Sequence, residues 1–585
     1  MRPWRGIGLL LTLLGGMIPS VSAQTLIGLD FVGGQSGATT TNMGTAESAG
    51  VVAQTNWNNL TGASGTDATI TNGSGTTVAG VSVTYSSTNT WADPNVANNA
   101  GNYRMMRGYL DINTTGASTT VSVSGLGSLG YYDVYVYTAG DGNNRTGKFT
   151  IGNQTYWVND NATFAGTYTR GTGAVDPGSY QNATAGNYMV YSDLTGSSVS
   201  LTATGAYAAD GTLRAPVNGI QIVQLPTSYW DLNGTTTGAG ATPTGTWDAS
   251  TKNWSSSSAG TVATQAWTSG NLAVFSAGTN ATNAYTVTVS GTQTASSIIV
   301  EEGSPTFTGG IITLNGTTPQ INVASGLTAI VNSQISSTAG LTKTGAGTLV
   351  VGSTSNAYTG PTVVQTGTLK LGASNVIPNG SAVIVQSGAT LNLNTYSDSV
   401  GSLAGAGIIT LGGGTLTVGS DNTSTTFSGS FTGGDTGTLA KTGTGTLTFG
   451  AGMNLSGGNL VLNGGTLNLG GFSSTFGSLS VTANSTLDFG TAGSSVLSIL
   501  NSLTVNSGVT LTVANWANAV DYFYALTNPG TTNLGRIVFT GFSSSDTKWM
   551  SYDNEITPVP EPSVYGAALL GLCTLTVWRR RRPSA

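Results

Sequence analysis

A nine-residue string that occurs twice constrains this chain more than any bulk property does. Leu341-Thr342-Lys343-Thr344-Gly345-Ala346-Gly347-Thr348-Leu349 returns as Leu439-Ala440-Lys441-Thr442-Gly443-Thr444-Gly445-Thr446-Leu447, with seven of nine positions identical. Around these copies, Thr-Leu pairs place leucines at 349, 369, 391, 416, 439, 447, 467, 487 and 511, most of them 20 to 25 residues apart. That period is one coil of a parallel β-solenoid, in which a coil buries its apolar face only when the next coil stacks on it. The flanking text alternates, as in Leu391-Asn392-Leu393-Asn394, so leucines are expected inside and hydroxyls and amides outside. Gly345, Gly347, Gly413, Gly443 and Gly445 are expected at coil corners, where positive φ or close backbone approach is needed.

Composition argues the same way. Only 7% of residues are charged and 86 are glycine. Ser, Thr and Asn compete with a helical backbone for hydrogen bonds, whereas Thr and Val suit a pleated sheet. An all-β protein follows, and 38% apolar residues suffice for packed cores. Residues 24–225 are aromatic-rich and non-repetitive, with strand-like runs such as Tyr132-Asp133-Val134-Tyr135-Val136-Tyr137. A jelly-roll-like β-sandwich is expected there. The boundary falls near Pro226, which cannot donate to a ladder. Residues 226–515 form the expected solenoid, opened by Trp230, Trp247, Trp254 and Trp267 as an end cap. Residues 516–557, with Trp516, Tyr522, Tyr524 and Trp549, are expected to close its last edge as a cap and linker.

The two ends carry export signals. Arg2 and Arg5 precede an apolar run from Ile7 to Ile18 and then Val21-Ser22-Ala23, a secretory signal peptide cleaved between Ala23 and Gln24. Residues 558–585 hold Pro560-Glu561-Pro562, an apolar run from Val564 to Trp578, and Arg579, Arg580, Arg581 and Arg582. A single transmembrane helix with a cytoplasmic arginine flank is expected, anchoring the protein in the inner membrane transiently. The lone Cys573 lies in that run, so no disulfide within the chain and no thiolate catalyst is expected.

These residues carry two resemblances. The last 28 residues resemble the PEP-CTERM family of sorting signals, which implies processing by an exosortase in an exopolysaccharide-producing Gram-negative bacterium. Residues 341–369, with Lys343, Gly345, Gly347, Asn356, Tyr358, Gly360, Gly367 and Leu369, resemble an autotransporter-associated β-strand repeat, with a degraded copy from 439. That likeness implies a secreted passenger domain folded as a right-handed β-helix.

The chemistry is sparse. There is no histidine, which removes every His-dependent triad and zinc site. No catalytic residue, cofactor or metal is expected, and the absence of a basic patch argues against nucleic acid. From 341 to 513 the only charges are Lys343, Lys370, Lys441, Asp398, Asp421, Asp435 and Asp488. Lys343 and Lys441 are expected to be solvated beside coil corners. Glu301-Glu302, read as adjacent strand residues, would face opposite sides and could not flank a glycosidic bond. Trp57, Asp141, Asn143, Arg145 and Trp157 are candidate glycan contacts, because aromatic faces and planar polar groups suit pyranose rings. Three functions follow in descending order. The first is a non-enzymatic structural or adhesive component of an extracellular polysaccharide matrix. The second is a carbohydrate-binding protein using the sandwich, and the third a polysaccharide-degrading enzyme.

Overall fold

The structure is a computed structural model that describes residues 24–559 except 35–37, 115, 143, 161–162, 174–179, 181–182, 433–435 and 492. The signal peptide expected to end at Ala23, the expected sorting residues Pro560, Glu561, Pro562 and Arg579 to Arg582, the helix expected with them, and Asn143 all lie outside the described residues. Among the described residues no helix is long and apolar enough to cross a membrane.

The chain begins with two facing sheets. One has five strands, in the order Tyr188–Thr195, Tyr131–Tyr137, Gly219–Gln224, Leu26–Phe31 and Asn58–Leu60, and the other has seven. Pairing is antiparallel except at one edge of each sheet, where Asn58–Leu60 and Thr184–Ala185 run parallel to their neighbours. Phe31, Val123, Tyr132, Phe149 and Ile220 fill the space between the sheets. A second apolar cluster containing Trp57, Met105, Tyr137 and Val190 covers the outer side of the five-stranded sheet. Tyr131–Tyr137 is therefore buried at all seven positions, which is why its sequence reads as aromatics and valines rather than alternating with polar groups.

The strand Gly219–Gln224 ends in the sandwich, and Thr227–Trp230 already belongs to a 15-stranded sheet. That sheet is one long side of a solenoid, running up to Ile537–Phe539. A nine-stranded sheet from Gly245–Trp247 to Ser430–Thr432 makes a second side. A third side is formed first by four strands ending at Ala357–Tyr358 and then by a nine-stranded sheet beginning at Asp398–Val400. Pairing between coils is parallel, with antiparallel pairs only at the ends. One continuous core runs from Trp230 to Ile556. Every leucine of the Thr-Leu pairs is inside it, at 1% exposure or less.

Those leucines do not form one column. Leu349, Leu369 and Leu391 belong to the second side, Leu416 and Leu439 to the third, and Leu447, Leu467 and Leu487 to the long 15-stranded side. The eight-residue gap between Leu439 and Leu447, out of step with the coil period, is the step from one side to the next. The nonapeptide is thus a corner unit rather than a coil unit. Its first copy turns from the 15-stranded side to the second side, and its second copy turns from the third side to the 15-stranded side.

Both corners share one plan, and here the expected exposure of the lysines is overturned. Lys343 is 0% and Lys441 1% exposed. Lys343 Nζ donates to the carbonyls of Thr344 and Gly345, both at 2.7 Å, and to Thr366 O of the next coil at 3.2 Å. Lys441 Nζ donates to Thr442 O at 2.6 Å and Gly443 O at 3.4 Å. Gly345 and Gly443 hold φ of 73° and 69°. The chain turns so tightly that successive carbonyls point inward, and a buried carbonyl without a donor is costly. A lysine stem long enough to reach back from the preceding strand supplies that donor.

The solenoid also extends further than the expected limit at 515. Leu511–Ala514 pairs in parallel with Ile537–Phe539, and Val496–Val505 with Tyr522–Ala525. The closing element is the antiparallel pair Thr547–Met550 and Glu555–Pro558. Tyr522 and Tyr524 instead occupy the outward positions of one more coil, stacked 5.6 Å apart.

Candidate functional site

The sandwich sits on the first coils of the 15-stranded side. Val274 and Ile299 are apolar residues on that side, and they pack with Tyr131 of the sandwich and with Tyr229 and Leu272. Around this apolar patch lies a ring of polar contacts. Tyr131 donates its hydroxyl to Glu301, and Arg170 donates to Thr317 O at 2.5 Å and to Thr318 Oγ1. Gln320 Nε2 donates to Ser192 O at 3.0 Å and to Asp193 Oδ2 at 2.5 Å. Gln320 Oε1 in turn accepts from Thr344 Oγ1 at 2.8 Å, tying the junction to the first corner unit. Glu301 and Glu302 lie just beyond the strand Ile298–Val300, not within it. One serves this interface, and the other accepts from Ala281 N at 3.0 Å.

Between the two bodies is a cleft of about 270 Å³ lined by Asp133, Ser192 and Asp193 of the sandwich and by Ser296, Ser297 and Asn315 of the solenoid. Asp193 stands at a β-bulge between Tyr191 and Leu194 with φ of 54°, a left-handed conformation that re-aims a side chain out of the pleat. Its backbone N donates to Asp133 Oδ1 at 2.9 Å. Burial, and then the neighbouring Asp193 charge, pushes the Asp133 carboxyl well above the usual carboxylate range, while burial raises Asp193 as well. Two carboxyls crowded together away from water hold on to a proton. Neither residue was legible beforehand as a site residue. The available signal was one carboxylate in a strand otherwise made of tyrosine and valine.

A raised carboxyl pKa has a definite stability signature. The folded state binds more protons than the unfolded chain between the ordinary aspartate value of about 3.9 and the raised value. Stability therefore falls as pH rises through that window, with a slope of up to about 1.4 kcal/mol per pH unit for one proton. Asp133→Asn should flatten this contribution when urea unfolding is followed from pH 4 to 8.

The expected glycan contacts do not assemble into one surface. Trp57 is 4% exposed, set edge to face against Tyr137 at 6.2 Å, with its indole N–H donated to Gln54 O at 3.1 Å. Trp157 is 9% exposed with Lys148 Nζ 5.7 Å from its ring centre. Both rings are therefore core or covered, and their faces are not free to stack on a sugar. Asp141 and Arg145 do meet, at 3.3 Å, and Arg145 also pairs with Asp210 at 2.6 Å. Tyr109 donates to Asp141 at 3.2 Å. Beside them burial pushes Asp160 up to about 8 against the Gly140 N–H, and Asp111 up to about 6 against Arg214. The space these groups surround is about 10 Å³, which is water-sized. Among the described residues no group of three or more acidic or cysteine side chains is placed to hold a metal.

The outer surface of the solenoid has its own order. Threonines 328, 348, 368 and 390 are in register on the second side, and 446, 466, 486 and 512 on the 15-stranded side. Hydroxyls thus repeat at the inter-strand spacing of about 4.8 Å along two faces. The adjoining column of the 15-stranded side continues with Thr448, Asn468 and Asp488.

Residues 341–371 and 439–469 match the Passenger-associated-transport-repeat family, and each match begins with a corner unit and runs on through the following coil, to the strands Thr368–Leu371 and Thr466–Asn468. Among characterised proteins, the adhesin BmaC autotransporter of Brucella suis biovar 1 (strain 1330) is 32% identical over 195 residues, a stretch covering 32% of this chain and 5% of that protein. The chain thus spans a small fraction of that relative. No solved structure matches.

Proposed function

We propose that this protein is a non-catalytic extracellular adhesive scaffold whose solenoid attaches to polymers through many weak, uncharged contacts. The observation that carries the reading is the pair of threonine columns, four hydroxyls in register on each of two faces. Each hydroxyl contact is weak, but regular repetition converts small affinities into avidity. The passenger-type repeats and the adhesin named above support the same class. The likeness of residues 558–585 to a PEP-CTERM sorting signal supports the finer reading: export, transient anchoring in the inner membrane, cleavage by an exosortase-type enzyme, and incorporation into exopolysaccharide.

The test has two parts. Purified protein should co-sediment with the producing cell's own exopolysaccharide. Replacing Thr446, Thr466, Thr486 and Thr512 together by valine, which preserves β-branching, should weaken that retention at least tenfold with unchanged circular dichroism. Undiminished retention would refute the threonine columns as the contact. Mass spectrometry of protein recovered from the matrix should end upstream of Arg579, and an intact C-terminus would refute the processing step.

A further inference from the structure

The polymer reading leaves the cleft between sandwich and solenoid without a role. Its walls are of two kinds. Val52, Val223 and Leu225 supply apolar lining, and Asp133, Asp193 and the serines supply polar lining, with Val223 directly across the strand pair from Asp133. Ser192 is 6% exposed, and its hydroxyl has no hydrogen-bond partner among the described residues. Ser296 Oγ, on the solenoid wall, is likewise buried without a partner. Both residues belong to the cleft lining, and buried hydroxyls are almost always satisfied, so two orphans at its margin mark a place where a polar partner belongs.

The ligand class follows by elimination. An anion would meet two carboxyls. A free cation would compete with N–H donors already in place, since Gln320 Nε2 and Asp193 N are committed to the carboxyl pair and the Arg170 guanidinium stands at Thr317 and Thr318. A carboxyl pair that retains a proton both donates and accepts, and hydroxyls do the same. Groups of that kind set beside apolar lining complement a neutral molecule that carries both hydroxyls and C–H surface. At about 270 Å³ the cavity falls just below the roughly 300–1,000 Å³ range of drug-sized pockets, a size for one ring rather than a chain.

We infer that the junction cleft binds a single neutral pyranose unit, with Asp193, Asp133 and Ser192 receiving its hydroxyls and Val223 and Leu225 its C–H face. This rests on the reading that the protein contacts carbohydrate, and it adds a selective site to the unselective solenoid surface. Because both bodies contribute walls, an occupied cleft also locks the sandwich onto the stalk.

The test is saturation-transfer-difference NMR on the full secreted chain with methyl α-D-glucopyranoside, methyl α-D-galactopyranoside and methyl α-D-mannopyranoside, each with and without CaCl2. At least one glycoside should receive transfer. The signal should fall at least fivefold in Asp193→Asn and in Ser192→Val, and should persist in Asp141→Asn at the sandwich's other acidic cluster. Thermal melting identifies any variant that fails to fold, and Ser192→Ala, which only shortens the side chain, then replaces it. Transfer to none of the three, or transfer unchanged in both cleft variants, overturns the inference. So does stabilisation by CaCl2 alone that Asp193→Asn abolishes, which would make the cleft a cation site. Retention on the exopolysaccharide by the cleft variants separates the outcomes, because the adhesive reading survives loss of the cleft if the threonine columns still hold.

Discussion

Trp254→Ala is expected to lower the unfolding free energy of the full chain by about 3–5 kcal/mol, the range for deleting a fully buried large aromatic. Trp254 is 0% exposed at the first end of the solenoid. Its ring lies 4.4 Å from Trp267, 5.1 Å from Trp230, and 5.3 Å from both Trp247 and Phe275. The first coil has no preceding coil to cover it, so this aromatic box supplies the contacts that a neighbour supplies elsewhere. Coils couple only to their neighbours, so the damage should be greatest nearby. Hydrogen exchange should accelerate first over residues 227–310 and least beyond 450, and uniform acceleration would contradict the role of an end plate. Trp254→Phe should cost much less. It keeps a ring in place and removes an indole N–H that has no acceptor among the described residues.

Lys343→Met should destabilise the chain by about 1–3 kcal/mol near neutral pH, because it strands inward carbonyls of Thr344, Gly345 and Thr366 in a dry corner. Methionine fills a similar volume, so the loss reports donors rather than packing. The pH dependence makes the prediction sharper. Burial lowers the Lys343 ammonium from 10.5 to about 8. Between those values the unfolded chain binds more protons than the folded one, so the wild type gains stability as pH rises across this window. The neutral amine still donates, so the corner stays capped. Lys343→Met has no such gain, and the gap between variant and wild type should widen from pH 8 to 10 in denaturant titrations. A gap that narrowed would mean that the carbonyls hold the ammonium charged and raise its pKa on folding, contrary to a burial that lowers it.

The sequence exposed the solenoid because its interior depends on a local, repeated signal: leucine after threonine with glycine close by. Handling of the interior and exterior of each strand was legible for the same reason. The assignment of sides was not, since Leu391 and Leu447 look alike in the text and only the pairing of distant strands separates them. The lysines were misplaced by a general expectation that lysine is solvated. What countered it was their presence at the same position of both corner units in a chain with hardly any charge. The junction site was illegible because it joins Asp193, at a bulge in one body, to Gln320 in the other, 127 residues apart. The indoles at 57 and 157 misled for the opposite reason, because the tryptophan that suits a sugar face also suits a core, and a second apolar layer over the sandwich claims Trp57.

That one corner unit turns two different corners has a consequence for how such a stalk changes length. If each coil were an indivisible block, duplication or loss would have to occur in whole coils to keep leucines facing inward. Here the nine-residue unit, a strand with its lysine-capped bend, fits two different corners of the three-sided section. A copy set one side further round keeps Leu447 inside as Leu349 is inside, while its threonine joins the hydroxyl column of another flank of the molecule.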